Sequence, residues 1–180
     1  MLATVGALSA DSSAATIAIP QVDSSIYRPY RARGRATVKG QAFLKTAGGD
    51  IKLGAGDKVY LVPATDEWSR FIVGAAAIQD RLSDISTSDV SPAERLRLLD
   101  ETPSTLPKLS PYAEKYARIT IAGVDGRFTF ESIPAGTYYA WCRIEWEIPN
   151  VGGGTGTTGG TAMQTIPVPR IGAVEVILTR

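Results

Sequence analysis

DGRFTFESIPAGTYYAW, residues 125 to 141, places two short alternations of apolar and polar residues on either side of Ile133-Pro134-Ala135-Gly136. Phe128 and Phe130 fall on one face and Arg127, Thr129 and Glu131 on the other, the period of a strand with one buried side. Upstream, YARITIAG at 116 to 123 is followed by Val124-Asp125-Gly126, so a tight hairpin opens the stretch. Pro134 fixes its φ and lacks an N–H, and Gly136 admits a positive φ. The chain is therefore expected to cross there without joining a ladder and to restart as a strand at Thr137.

That second strand, TYYAWCRIEWEI at 137 to 148, separates into two faces. Tyr138, Ala140, Cys142, Ile144, Trp146 and Ile148 form a core face, with Cys142 a small buried apolar residue rather than a nucleophile. Tyr139 and Trp141 lie on the opposite face with Arg143, Glu145 and Glu147, and two aromatics there need a cover. The cover is expected from residues 65 to 112. Trp68, Phe71, Ile72, Ala75, Ala76, Ile78 and Leu82 have helical spacing over about four turns, with Thr65 or Asp66 as N-cap. Ser91-Pro92-Ala93-Glu94 has capping-box chemistry and opens a short helix through Leu99. Trp68 and Phe71 are read as core against Trp141 rather than as a ligand platform.

Further strands are expected in RATVKGQAFLKT at 35 to 46, in KVYLVPA at 58 to 64, and in QTIPVP and AVEVILT near the end. VGGGTGTTGG, residues 151 to 160, reads as a long loop. Seven or eight strands separated by turn signals argue a mainly β fold, a Greek-key β-sandwich with a helical insertion. The chain divides into an extended arm and basic linker at 1–34 and one sandwich domain at 35–180.

GQAFLKTAGGDIKLGAGDKVYLVPAT at 40 to 65, VDGRFTFESIPAGTYYAW at 124 to 141 and the closing strand at 173 to 179 together resemble the transthyretin-like, or carboxypeptidase regulatory-like, β-sandwich domains. Such domains are common in bacterial surface and lipid-anchored proteins. The resemblance covers about residues 35 to 180. It implies that the Asp-Gly hairpin and the Ile-Pro-Ala-Gly crossover are framework, not catalytic machinery.

Composition narrows the function. The 180 residues are 44% hydrophobic and 21% charged, as in a globular domain with a proper core. There is no histidine, which removes imidazole-dependent triads and most catalytic zinc sites, and one cysteine, which removes an internal disulfide. No apolar run is long enough to span a bilayer. The opening MLATVGALSADSSAA lacks the basic start and long apolar centre of a secretory signal, yet the fold resemblance implies export to the periplasm, cell surface or an extracellular assembly.

Two motifs resemble functional ones. GTGTTG at 154 to 159 has the letters of a dinucleotide fingerprint, but Met163, Pro167 and Pro169 follow where a helix would have to begin. Glu145 and Glu147 lie about 7 Å apart on one strand face, a spacing compatible with acid-base work and equally with a solvated face. No catalytic, cofactor-binding or metal-binding residue is assigned.

The net charge of +1 conceals six bases and no acid between residues 24 and 49, leaving −5 for the rest. Within this segment YRPYRARGRATVK, residues 27 to 39, interleaves tyrosine with arginine, a composition suited to phosphates, anionic glycan or a protein interface. No reading motif for sequence-specific nucleic-acid binding accompanies it. AATIAIPQV, residues 14 to 22, is an apolar stretch that could add as a strand to an open sheet edge of a neighbouring subunit, or stay a tail or a strand on its own domain. The candidate interaction residues are therefore Ile17, Ile19, Tyr27, Arg28, Tyr30, Arg31, Arg33 and Arg35. Their expected partners are proteins, including further copies of the chain, or an anionic glycan. The leading expectation is a non-catalytic structural or adhesive subunit docking through its arm. A virion decoration or fibre protein, and a carbohydrate-binding module using Tyr139 or Trp141, are the alternatives.

Overall fold

A computed structural model describes residues 23–87, 91–101, 106–149 and 154–180. A 3-10 helix, Ser24–Arg31, precedes β1 (Arg35–Lys45), β2 (Ile51–Leu53) and β3 (Lys58–Pro63). Three helices follow, α1 (Asp66–Thr87), α2 (Pro92–Asp100) and α3 (Pro111–Tyr116). The chain closes with β4 (Arg118–Ile121), β5 (Arg127–Ile133), β6 (Gly136–Pro149), β7 (Thr155–Val168) and β8 (Ile171–Leu178). The fold is mainly β, as expected, with its strands in two sheets that do not close on one another.

In the first sheet β1 is central. It pairs antiparallel with β5 and, through its last three residues, with β2, and it pairs parallel with β8 from Arg35 opposite Ile171 to Ala42 opposite Leu178. The second sheet has the order β4-β3-β6-β7 and is antiparallel throughout. β5 therefore belongs to one sheet and β6 to the other, and Pro134-Ala135 is the passage between them. Between the sheets lie Val38, Leu44, Val59, Leu61, Phe128, Phe130, Tyr138, Cys142, Ile144, Ile166 and Leu178, all buried. Cys142 is among them, and its thiol is pushed up to about 12 by burial first and by Asp57 second.

The passage is built differently from its sequence reading in one respect. Gly136 does not adopt a positive φ; Ser132 does, at 57°, opposite a register shift between Ala36 and Val38. What Gly136 supplies is room, since a Cβ there would lie 2.9 Å from the Tyr30 ring. The crossover is clamped by Tyr138 Oη donating to Pro134 O at 3.0 Å and by Gly34 N donating to Ser132 O at 3.1 Å. Gly34 is itself obligatory, because a Cβ would fall 1.7 Å from Ile133 O.

Four other expectations need correction. Asp125-Gly126 makes a tight turn, with Gly126 N donating to Gly123 O, but the strands on either side do not form the expected hairpin: β4 pairs with β3 in the second sheet and β5 with β1 in the first. Of the stretch read as a loop at 151 to 160, residues 155 onward belong to β7, paired with β6 from Pro149–Thr155 to Gly136–Val168, while 151–153 lie outside the described residues. Gly159 answers close approach rather than flexibility, since a Cβ there would meet Ile144 O at 2.2 Å. The insertion helix α1 runs 22 residues instead of about four turns. Its second half is held by polar contacts that hydrophobic periodicity does not register: Gln79 Nε2 to Glu145 Oε1, Ser83 Oγ to Thr158 Oγ1 at 2.8 Å, and Asp80 paired with Arg180. Finally, residues 24–31, expected as linker, are the 3-10 helix.

Gly34→Ala is expected to lower stability by at least ~2 kcal/mol because backbone carbonyl, not a movable side chain, occupies the space. Gly136→Ala, facing a ring that can tilt, should cost less. Urea unfolding midpoints check the order, and equal losses at the two positions would contradict this account of the crossover.

Candidate interaction surface

The outer face of the second sheet carries an aromatic layer that helices cover in part, while Ile119, Ile121 and Met163 on the same face are exposed. Trp141 stacks on Tyr60 with centroids 4.3 Å apart and planes 10° apart. Trp68 and Ile72 from α1, Ala113 from α3 and Tyr27 from the 3-10 helix close over Val62 and Trp141. Tyr139 and Phe71 pack at the margin. The helical insertion thus covers Tyr139 and Trp141 as expected. Trp141 is 8% exposed and Tyr139 half-buried, so Trp141 in particular offers no ring face to a sugar.

Glu67 ties three elements of this layer together. Its Oε2 accepts from Tyr27 Oη at 2.9 Å and from Ser110 Oγ at 3.0 Å, and its Oε1 accepts from the Ser110 backbone N–H. Ser110 is in turn the N-cap of α3. Tyr27 also stacks on Tyr116 at 5.7 Å. One carboxylate therefore joins the 3-10 helix, α1 and α3. The Tyr27 phenol is pushed up to about 12, mainly by burial, with Glu67 adding to the effect and the Thr65 hydroxyl opposing it.

Tyr30 is the second anchor of the 3-10 helix. Its Oη donates to Thr137 O at 2.8 Å, and its ring meets Tyr138 edge-on at 5.1 Å. With both tyrosines turned inward, the four arginines of the segment are left outside: Arg28, Arg31, Arg33 and Arg35 are exposed. The registers fix where they gather. Arg35 is opposite Ile171, next to exposed Arg170, and Ala36 is opposite Ile133 at the start of the crossover. The arginines thus crown the pole at which the chain passes between sheets. None of Arg28, Arg31, Arg33, Arg35 and Arg170 is in an ion pair among the described residues. Asp23 is the acid beside them, held below its usual range by hydrogen bonds from Ser25 and then by Arg28.

The structure thus separates the candidate residues into two kinds. Tyr27 is buried and Tyr30 half-buried in contacts within the fold, and Arg28, Arg31, Arg33 and Arg35 are exposed together. Ile17 and Ile19 lie outside the described residues. A second feature escaped the sequence reading. The outer face of the first sheet holds a shallow groove of about 480 Å³ lined by Lys39, Gln41, Arg127, Thr129, Glu175 and Ile177. These residues alternate with core residues on three strands, and only the pairing of β1 with both β5 and β8 brings them side by side. Glu145 pairs with Arg143 and accepts from Gln79, consistent with a structural role for that carboxylate.

The fold and these surfaces define a β-sandwich of two open sheets, one of them partly covered on its outer face by helices, with an exposed basic pole. A solved structure from Pseudomonas aeruginosa, of a protein proposed to bind carbohydrate, is similar to this one: 27% identity, 89% of this chain and 99% of that chain covered, TM-score 0.65. The pilus backbone of Streptococcus pneumoniae is similar at 11% identity over 80% of this chain and 41% of that one, with a TM-score of 0.30, too loose to carry an argument. No protein-family profile and no curated protein sequence matches the chain.

Glu67→Ala should destabilise the protein by about 2–4 kcal/mol, since it leaves a buried tyrosine hydroxyl and a helix cap without their shared acceptor. Glu67→Gln should lose less. Because the folded Tyr27 pKa lies above its unfolded value near 10, the unfolded chain loses the proton first. This contribution is therefore complete below pH 10 and falls as pH rises through about 12. Tyr27→Phe should flatten that part of the alkaline stability profile, measured by chemical unfolding at a series of pH values.

Proposed function

We propose that this protein is a non-catalytic β-sandwich subunit of a cell-surface or extracellular assembly that docks through its arginine-bearing pole, and through the arm preceding it, onto an acidic protein surface. The observation that carries this reading is the division of labour in residues 24–35. Tyrosines bury themselves to hold the segment rigid, while arginines stand outside on a fixed scaffold in no ion pair among the described residues, with Asp23 the acid acting on Arg28. Arginine in that setting forms bidentate contacts with carboxylates at less entropic cost than on a mobile tail. The absence of histidine from the sequence and the structural use of Cys142 and Glu145 support a binding role over catalysis. The transthyretin-like resemblance in the strands around the crossover supports a surface or exported setting.

A second reading, carbohydrate binding, is favoured by the Pseudomonas aeruginosa neighbour, which is similar along almost the whole of both chains. With Trp141 covered, an anionic glycan on the same arginines or a glycan in the groove of the first sheet is the form this reading takes.

Replacing Arg31, Arg33 and Arg35 with glutamate should leave the unfolding midpoint within about 0.5 kcal/mol of the parent, as the side chains are exposed. The same replacement should weaken binding to polyglutamate at least tenfold and abolish its salt dependence. Absence of polyglutamate binding by the parent protein would sink the first reading. Heparin binding lost in the same variant, or binding on a neutral glycan panel that Lys39→Ala and Glu175→Ala remove, would replace it with the second.

A further inference from the structure

Open sheet edges are normally blunted by charge, proline, bulges or shortness, because their unpaired N–H and C=O groups recruit other strands. Most strand edges of this sandwich meet that rule. β4 is four residues long. β5 carries Arg127 and Glu131 outward, faces the register shift in β1 and has left-handed Ser132 as its next-to-last residue, before Ile133. β7 is overlaid by α1 through Ser83 and Thr158, with Arg180 lying against Gly160. β8 does not meet it. It is eight residues long, IGAVEVIL, with no proline, no lysine and one charge. It pairs with β1 along its length, and among the described residues no backbone group pairs with its other side.

The side chains of β8 show the same incompleteness. Val174, Val176 and Leu178 alternate toward the core; Val176 and Leu178 are buried, but Val174 is only half-buried although it packs on the core. On the other face Ile171 and Ile177 are 66% and 61% exposed. An apolar margin is left open along an unpaired edge.

We infer that the open edge of β8 is the receptor for residues 14–19 of a second copy of this chain, added as a further strand of the first sheet. The inference rests on the reading that the protein docks through its arm, and it names the partner and the place. The donor fits by chemistry and length. Residues 12–22 contain no charged side chain, and in Ala14-Ala15-Thr16-Ile17-Ala18-Ile19 the β-branched Ile17 and Ile19 stand two apart with Ala18 between them before Pro20 ends the run. Six residues extend about 20 Å, within the eight that β8 presents. Ile17 and Ile19 share a face, and set beside Val174 and Val176 they extend the core row that β8 leaves unfinished. A donor given by each copy to the next is a head-to-tail contact, which builds a ring or a filament according to its rotation.

The test uses the full chain. Light scattering over a concentration series is combined with hydrogen exchange read at the amides of residues 171–178. Expected are assembly to at least twice the monomer mass and, in step with it, exchange slowed at least tenfold at the β8 amides that do not pair with β1. Ile17→Lys with Ile19→Lys, placed outside the described fold, should abolish both effects. Val174→Lys, which puts an inward-facing charge on the receptor edge, should do the same while near-UV circular dichroism shows a folded domain. Assembly that persists with unchanged β8 exchange overturns the edge assignment while leaving arm docking standing. A monomer at every concentration overturns the inference, whether β8 exchanges freely or is protected by its own arm. Binding of polyglutamate at the arginine pole is independent of all these outcomes.

Discussion

The constraint on which the rest of the molecule depends is the two-residue passage from β5 to β6. The chain must leave one sheet at Ile133 and enter the other at Gly136, and so short a crossing brings three segments into near contact. Gly34 lies against the Ile133 carbonyl, Tyr138 returns its hydroxyl to Pro134, and Tyr30 occupies the space that a side chain at position 136 would fill. Each contact links the crossover to a residue distant in sequence. Because Tyr30 and Gly34 belong to the segment that carries the arginines, the same constraint that joins the sheets fixes the position of the basic pole.

Glu67 performs the corresponding task on the outer face of the second sheet. A carboxylate that accepts three hydrogen bonds in a partly buried setting is worth more than the same contacts in water, because the local dielectric is lower and each donor would otherwise be left unsatisfied. Here the three donors come from Tyr27 and Ser110, so the helical insertion and the N-terminal 3-10 helix are held as one lid. The lid covers Trp141 and Tyr60, which removes the most obvious aromatic platform from solvent. Among the described residues, the arginine pole, the groove of the first sheet and the open edge of β8 stay exposed.

How much was legible in the chain follows from the range of the interactions concerned. The tight turn at Asp125-Gly126, the faces of β6, the burial of Cys142 and the Ser91 cap of α2 rest on neighbours a few residues apart, and alternation or a capping pattern records them directly; that β4 and β5 on either side of the turn join different sheets is set by their long-range partners. The stretch at 154 to 160 could not be read in the same way. Glycine and threonine in alternation look like a loop until β6 lies alongside and its carbonyl leaves no room for a Cβ at Gly159. The second half of α1 is likewise held by Gln79, Asp80 and Ser83 reaching strands and the C-terminal arginine, contacts without a hydrophobic period.

Sequence alone determined that this is a mainly β sandwich with a crossover at Ile-Pro-Ala-Gly, a helical cover over one face, a cluster of arginines near the N-terminus and no imidazole chemistry. These follow from local periodicity, turn chemistry and composition, each a property of residues close together or of the chain as a whole. Tertiary structure decided which way the tyrosines and arginines of residues 27–35 face, that one carboxylate joins three elements, that Lys39, Gln41, Thr129 and Glu175 line a common groove, and that β8 is left with an unpaired side. Those depend on strand order, on the parallel pairing of the first strand with the last, and on contacts between residues as far apart in the chain as Arg35 and Ile171, which no local pattern encodes.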